Sequence, residues 1–264
     1  MPLACMDSKR DFRCLQRISA LVAVIPWMFY RDNVLRNPPG VDVKSWLNTV
    51  VRIIGSLDLR IASPNLLLDI VLKLFEKHSF SGEPYQQCPN LGHLLEEIRA
   101  LKCHAFSNIA RYKESLDNRI SGVMNHLGDV VRCNHGIDLS KLLRTHFVLE
   151  LDGLTQEMKV FLITVLAARI FMYRIAHGDR TQQLKTLIIM DEGQQIFRRS
   201  YELSDSPFFM AEMIAQAREF GCGIAVGAQS VRDLAFSLMA NTSHKILVGG
   251  FADQRDLEEL CRII

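Results

Sequence analysis

No Cys-x-x-Cys pair occurs among the seven cysteines, which are scattered at Cys5, Cys14, Cys88, Cys103, Cys133, Cys222 and Cys261. Cys103-His104 and Cys133-x-His135 match no common zinc-finger spacing, and the eight histidines form no metal pattern. Ordinary reduced thiols are the expectation, since cysteine packs readily in cores. Charge of one sign is also lacking. Thirty-one Lys+Arg against 29 Asp+Glu leave +2, which neither implies nor excludes a nucleic-acid partner, because only a local basic surface is needed for one. The longest apolar stretch, Met158 to Tyr173, is broken by Thr164 and Arg169 and reads as too short and too polar to span a bilayer. No charged-then-apolar leader opens the sequence, so the cytoplasm is the expected compartment. There is no internal repeat and no low-complexity tract.

What is present is apolar bulk. With 48% hydrophobic residues over 264 positions, one large core in one domain is expected. Pro2 to Met6 reads as a buried strand stopping at a polar loop, Asp7-Ser8-Lys9-Arg10-Asp11. A helix over Phe12 to Ile18 and a strand over Leu21 to Ile25 follow, then the loop Asn37-Pro38-Pro39-Gly40. Trp46, Val50, Ile53 and Leu57 recur at helical spacing, as do Leu67, Ile70, Val71 and Leu74, with Ser63-Pro64 as a helix start between them. Ser79 to Asn90 is a loop, and Leu91 to about Gly128 is helical in texture. Phe147 to Leu151 reads as a strand, and Thr155 as the cap of a long helix reaching Ala176.

The last third alternates. Strands are expected over Thr186 to Met190, Gly223 to Ala228 and Lys245 to Val248, with helices from Ser206-Pro207 to Phe220 and from Val231 to Met239. Such alternation means an α/β fold with a mostly parallel sheet covered by helices.

The sharpest local pattern is Leu187-Ile188-Ile189-Met190-Asp191-Glu192. Four apolar residues bury a strand and two carboxylates emerge at its C-terminal edge, where ligands bind in open α/β sheets. In nucleoside triphosphatases of this design the first carboxylate holds Mg²⁺ through water and the second polarises the attacking water. The plain alternative is a strand ending in a solvated acidic turn. A second apolar strand delivers Gln229 to the same edge, where an amide can hydrogen-bond a γ-phosphate and the attacking water; a loop or capping amide is the alternative. His146 and His244 read as ordinary strand-flanking residues.

In order, these features resemble a known family. Arg218, Gly221, the strand ending in Gln229, and Asn241-Thr242 resemble the sensor region of HerA/FtsK-type P-loop motor ATPases. Asp191-Glu192 resembles their Walker B pair, and Asp7-Ser8-Lys9-Arg10-Asp11 their Asp-x-Lys-x-Asp segment. Pro38-Pro39-Gly40-Val41-Asp42, Trp46-Leu47 and Glu150 to Leu154 are similar too. The resemblance implies a RecA-like core as one partial domain over 1–264, with a mainly helical insertion over 38–144. It implies ATP and Mg²⁺ as cofactors, and a homo-oligomeric ring, a hexamer, that moves or unwinds double-stranded DNA through its pore, with a nuclease or other effector as a possible companion. Asp191 would support Mg²⁺, Glu192 would be the base, Gln229 would sense the γ-phosphate and Arg218 would act on a neighbour's nucleotide. Asp7 and Lys9 would lie at the cofactor edge. Arg198-Arg199 and Arg232 are candidates for a pore, with a solvated face as the alternative. A conjugation or type IV secretion ATPase shares these strands, and a non-catalytic oligomerisation module is the reading from a different class.

One departure limits the resemblance. The sequence has no Gly-Lys-Ser/Thr, the element whose backbone N–H groups and lysine grip phosphates. In the family that loop precedes the Asp7 segment. Either this is a piece of a longer gene product or a degenerate relative, and in both cases the 264 residues alone are expected not to hydrolyse ATP.

Overall fold

Five apolar runs pair side by side in a computed structural model, which describes residues 1–56, 64–104, 107–178, 180–202 and 209–249 together with 255, 258 and 261. They are β1 (Leu3–Asp7), β2 (Val22–Pro26), β3 (His146–Glu150), β4 (Thr181–Met190) and β5 (Phe220–Val226). The spatial order is β2-β3-β1-β4-β5 and every neighbouring pair is parallel. Parallel strands need long crossovers, and helices supply them. These are α1 (Leu15–Ile18), α2 (Val43–Ser56), α3 (Pro64–Lys77), α4 (Leu91–Ala100), α5 (Asn108–Leu127), α6 (Leu139–Leu142), α7 (Gln156–His177), α8 (Gly193–Ile196), α9 (Arg199–Glu202), α10 (Phe209–Ala217) and α11 (Phe236–Asn241).

The two faces of the sheet are treated differently. One face, with Ala4, Met6, Phe147, Leu149, Ile188 and Met190, joins α7, α10 and the α2–α5 helices in a single continuous core. Helix α7 is its axis. Every residue from Val160 to Phe171 is buried, as expected of a helix apolar on all sides. Its N-cap is Thr155, whose hydroxyl accepts from the Met158 N–H at 3.4 Å. By length and composition α7 is long and apolar enough to cross a membrane, a correction to the shorter apolar stretch read from the sequence; here it is a core helix.

The other face carries a small cluster of Cys5, Val22 and Val148, covered by Phe12 and Leu15. That cover stops at β1. Further along the same face Leu187 and Ile189 are half-buried and Ala225 is exposed, so the sheet is open over β4 and β5. Among the described residues β5 also has a neighbour on one side only.

Three expectations need correction. Lys245 to Val248 is not a strand: Ile246 is 84% and Val248 92% exposed. The apolar run is only three residues long, Ile246 to Val248, and among the described residues it pairs with no strand. The helix expected from Val231 starts at Phe236, because the Ala235 N–H donates to the Phe197 carbonyl at 2.7 Å and Leu234 bridges Arg198. The segment 12–18 is split into a 3₁₀ turn at Asp11–Cys14 and α1. Ser63, Leu57, Ser206 and Pro207, expected in helices or at their starts, lie outside the described residues.

Candidate active site

Parallel strands all end at one edge, so the residue after each apolar run meets its neighbours there. In this fold that row is Glu150, Asp7, Asp191 and Gly227. Asp7 stands in register with Glu150, the Asp191 N–H donates to the Met6 carbonyl at 3.4 Å, and the Gly227 N–H donates to the Met190 carbonyl at 2.9 Å. The sequence places acidic residues behind three of these strands, and the sheet turns that into one carboxylate-rich edge.

The four sites do different work. Asp7 is fully buried, and its oxygens accept from the Lys9, Asp11 and Phe12 N–H groups at 3.0, 3.1 and 2.9 Å. Its carboxylate therefore fastens the β1 turn. Glu150, 1% exposed, is clamped by the Arg13 guanidinium through two bonds at 2.7 and 2.5 Å, a bidentate geometry that fixes the pair. That clamp holds Arg13's proton more firmly, through the hydrogen bond first and the charge of Glu150 second. Arg10 reaches Asp152 at 3.3 Å and Lys159 donates to the Ser8 carbonyl at 2.8 Å, which tie the same turn to β3 and α7.

Asp191 is the exception in the row. Among the described residues no hydrogen bond or ion pair engages its carboxylate. An ideal Cβ on Gly227 would stand 3.5 Å from its Oδ1, so the carboxylate lies over the end of β5 at a position without a side chain. Magnesium in phosphate-handling sites is held by one or two carboxylates, with waters and phosphates completing the shell. A half-exposed, unengaged carboxylate beside a glycine fits the protein's share of such a site. Asp7 and Asp191 also add their charge to burial in pushing the Cys5 thiol up to about 12; Cys5 is an inert core group.

Glu192 follows in the left-handed region, φ 54° and ψ 45°, which a non-glycine residue adopts only at a cost. Gly193 shows why the backbone turns so sharply. A Cβ there would meet the Val226 Cγ1 at 2.0 Å, and the Gly193 N–H donates to the Gly227 carbonyl at 2.7 Å. Gly193 lets the turn after β4 lie directly on the end of β5. Gly193→Ala should cost about 1–3 kcal/mol, the usual range for forcing extra volume into a packed site. Chemical denaturation checks it, and a variant as stable as the parent would show that Val226 can step aside.

The Glu192 carboxylate, 15% exposed, pairs with Lys9 at 2.5 Å. Gln229 is exposed just beyond β5, its N–H donating to the Gln194 Oε1 at 3.3 Å. Asp191, Glu192, Lys9 and Gln229 thus share one edge. Arg218 does not. It sits in the turn before β5, and seven strand residues place it about 20 Å from that edge. Of the carboxylates close to it in sequence, Glu212 pairs with Arg52 at 2.7 Å and Glu219 with Arg180 at 3.5 Å. Of the pore candidates, Arg199 stacks 4.0 Å over Phe236 and Arg232 lies 3.7 Å from Asp233. Arg13, Gly193 and Gln194 were not singled out from sequence. Only the glycine directly after Asp191-Glu192 carried a signal.

Comparisons with known proteins bear on the fold that carries this edge. No protein-family model matches the chain, and no curated protein does. Solved structures do. VirB4 of Thermoanaerobacter pseudethanolicus matches with a TM-score of 0.69 at 13% identity, covering 99% of this chain and 72% of that one. Plasmid coupling protein TrwB in complex with the non-hydrolysable ATP analogue ADPNP matches at 0.50 and 10% identity, covering 91% of this chain and 68% of that one. At such identities the likeness shows the fold. The chain has the RecA-like P-loop ATPase fold of these proteins, with a five-stranded all-parallel sheet flanked by helices.

Proposed function

We propose that the chain is the body of an ATP-hydrolysing motor domain of the conjugation or type IV secretion kind. The observation that carries this is the unengaged Asp191 beside Glu192 at the C-terminal edge of a central parallel strand, with Gln229 at the same edge. Support for conjugation or secretion over the HerA/FtsK-type DNA translocase or helicase comes from the VirB4 likeness over 99% of the chain and from a plasmid coupling protein among the similar folds.

In this reading a bound magnesium nucleotide supplies the phosphoanhydride to be cleaved. Asp191 holds the cation's water shell, Glu192 takes the proton of the attacking water, and Gln229 orients that water and reports the terminal phosphate. Arg218, remote from its own edge and without a carboxylate partner among the described residues, reaches a neighbouring subunit of a homo-oligomeric ring, a hexamer, in the cytoplasm. DNA or a DNA–protein complex is the load. The helices over 38–144 are an insertion in one partial motor domain.

The phosphate-gripping half comes from a strand, loop and helix joined ahead of Met1. Two openings support that. Among the described residues the β5 edge has no second neighbour. A connection from there back to β1 that keeps the right-handed rule lays its helix on the face already covered by α1, which is the face left open over Leu187, Ile189 and Ala225.

The test compares the 264-residue chain with the longest product of its gene that contains it. Magnesium-dependent ATP turnover is expected only where a Gly-x-x-x-x-Gly-Lys-Ser/Thr loop precedes Met1. Turnover by the 264 residues alone, lost on Glu192→Gln, would overturn the half-site reading. A full product with no such loop and no nucleotide binding would make this a non-catalytic oligomerisation module.

A further inference from the structure

The Lys9–Glu192 pair differs from the other surface ion pairs in how it is built. Among the described residues three non-glycine residues have positive φ, and two of them, Arg10 and Glu192, belong to the turns that present this pair. The Lys9 backbone is pinned, since its N–H donates to the Asp7 carboxylate at 3.0 Å and the preceding Ser8 carbonyl accepts from Lys159 at 2.8 Å. The Glu192 backbone is pinned as well, since its carbonyl accepts from the Gln195 N–H at 2.8 Å and Gly193 locks onto the end of β5. Two strained or fastened turns, on β1 and β4, thus aim an ammonium and a carboxylate at each other 2.5 Å apart. Lys9 holds its proton more firmly than an ordinary lysine, through the hydrogen bond to Glu192 first, then the charges of Glu192, Asp191 and Asp11. The ammonium therefore sits within the field of the acidic pair, and a second cation arriving there meets like charge.

We propose that Lys9 is a positioning residue for Glu192 and the built-in counter-ion of the acidic pair, which holds the Glu192 carboxylate closed until a divalent cation takes Asp191. Closed, the carboxylate is bonded to an ammonium and is not available to a water molecule. Open, it is free to accept a proton. This rests on Asp191 being the cation ligand, and the two ideas separate experimentally.

Manganese is the probe, titrated into the full 264-residue chain and followed by the electron paramagnetic resonance signal of free Mn²⁺, with thermal melts as the control for folding. Lys9→Met should bind manganese roughly tenfold more tightly than the parent, because the ammonium no longer repels the arriving cation. Lys9→Arg, which keeps the charge, should bind like the parent. Adding Asp191→Asn to Lys9→Met should erase the gain. Equal or weaker binding by Lys9→Met, or no binding by it at millimolar manganese, overturns the Lys9 proposal. If Asp191→Asn weakens the parent while Lys9→Met changes nothing, the Asp191 assignment stands and only the Lys9 role fails. A gain that survives Asp191→Asn puts the cation on another carboxylate and removes the assignment on which both rest.

Discussion

Arg169→Met is expected to destabilise the chain by about 3–5 kcal/mol, the range for breaking one side of a buried ion pair. Arg169 lies in the middle of α7 at 6% exposure, and its Nη2 stands 2.8 Å from Asp32 Oδ1. Its guanidinium also donates to the Asn33 carbonyl and lies 5.1 Å over the Trp46 ring. Asp32, 2% exposed, accepts in addition from the Tyr30 hydroxyl at 3.0 Å. Asn33 extends the network, donating to the Pro89 and Asn134 carbonyls at 3.1 Å each. The network thus fastens three loop segments to the core helix. Methionine keeps much of the volume but leaves the Asp32 carboxylate buried without a cation. Asp32→Asn should cost less, because the guanidinium keeps the Asn33 carbonyl and the indole face. The double variant should recover more than half of the Arg169→Met loss, since no unpaired buried charge remains.

The loss carries a pH signature. Burial pushes the Asp32 carboxyl up from 3.8, while Arg169 and the Tyr30 hydroxyl pull it down. Removing Arg169 leaves burial less opposed and raises the folded value further. A carboxyl whose folded pKa exceeds its unfolded value binds a proton more readily in the folded state, so stability falls as pH rises through the interval between them. That interval reaches higher in Arg169→Met. The deficit should be largest near neutral pH and shrink on acidification, which denaturant titrations at several pH values check. A deficit that is the same at every pH would show that Arg169 acts through packing alone.

Arg169 also shows what the sequence could and could not disclose. In the linear pattern it only interrupts an apolar stretch; its partner Asp32 lies 137 positions earlier in a loop, and nothing local pairs them. The strands were legible because a buried parallel strand is a short apolar run with polar ends, as at Leu3–Asp7 and Thr186 to Met190. The first half of β4 was not, because Thr181, Gln182 and Gln183 are polar, and Thr181 pairs with Phe220 across a register shift from the rest of the strand. Lys245 to Val248 had the pattern of a strand but pairs with none among the described residues. The candidate site was legible as residue types at strand ends. Which carboxylates are occupied was not: Asp7 and Glu150 have backbone or arginine partners and Asp191 has none among the described residues, a difference that depends on the turns and not on the residue types.

Under the proposed function, Glu192→Gln should lower the ATP turnover of a longer product carrying the phosphate loop by about 10²- to 10⁴-fold, the usual contribution of a positioned general base, while nucleotide affinity changes little. Glutamine is close in size and still fills the site over Gly193, so the turn after β4 should survive. It cannot take a proton from the attacking water, and it offers Lys9 no charge. Asp191→Asn should behave differently. That change weakens the hold on the cation's water shell, so affinity for the magnesium nucleotide should fall along with turnover and be partly restored by raising magnesium. Binding of a fluorescent nucleotide beside steady-state turnover separates the two patterns. Both follow from the same contrast in the structure: Glu192 is held by a lysine on the adjoining turn, whereas Asp191 faces the end of β5 unengaged among the described residues. If Glu192→Gln retains turnover within a few-fold of the parent, Glu192 is not the base, and its left-handed turn would serve only to carry the chain from β4 onto β5.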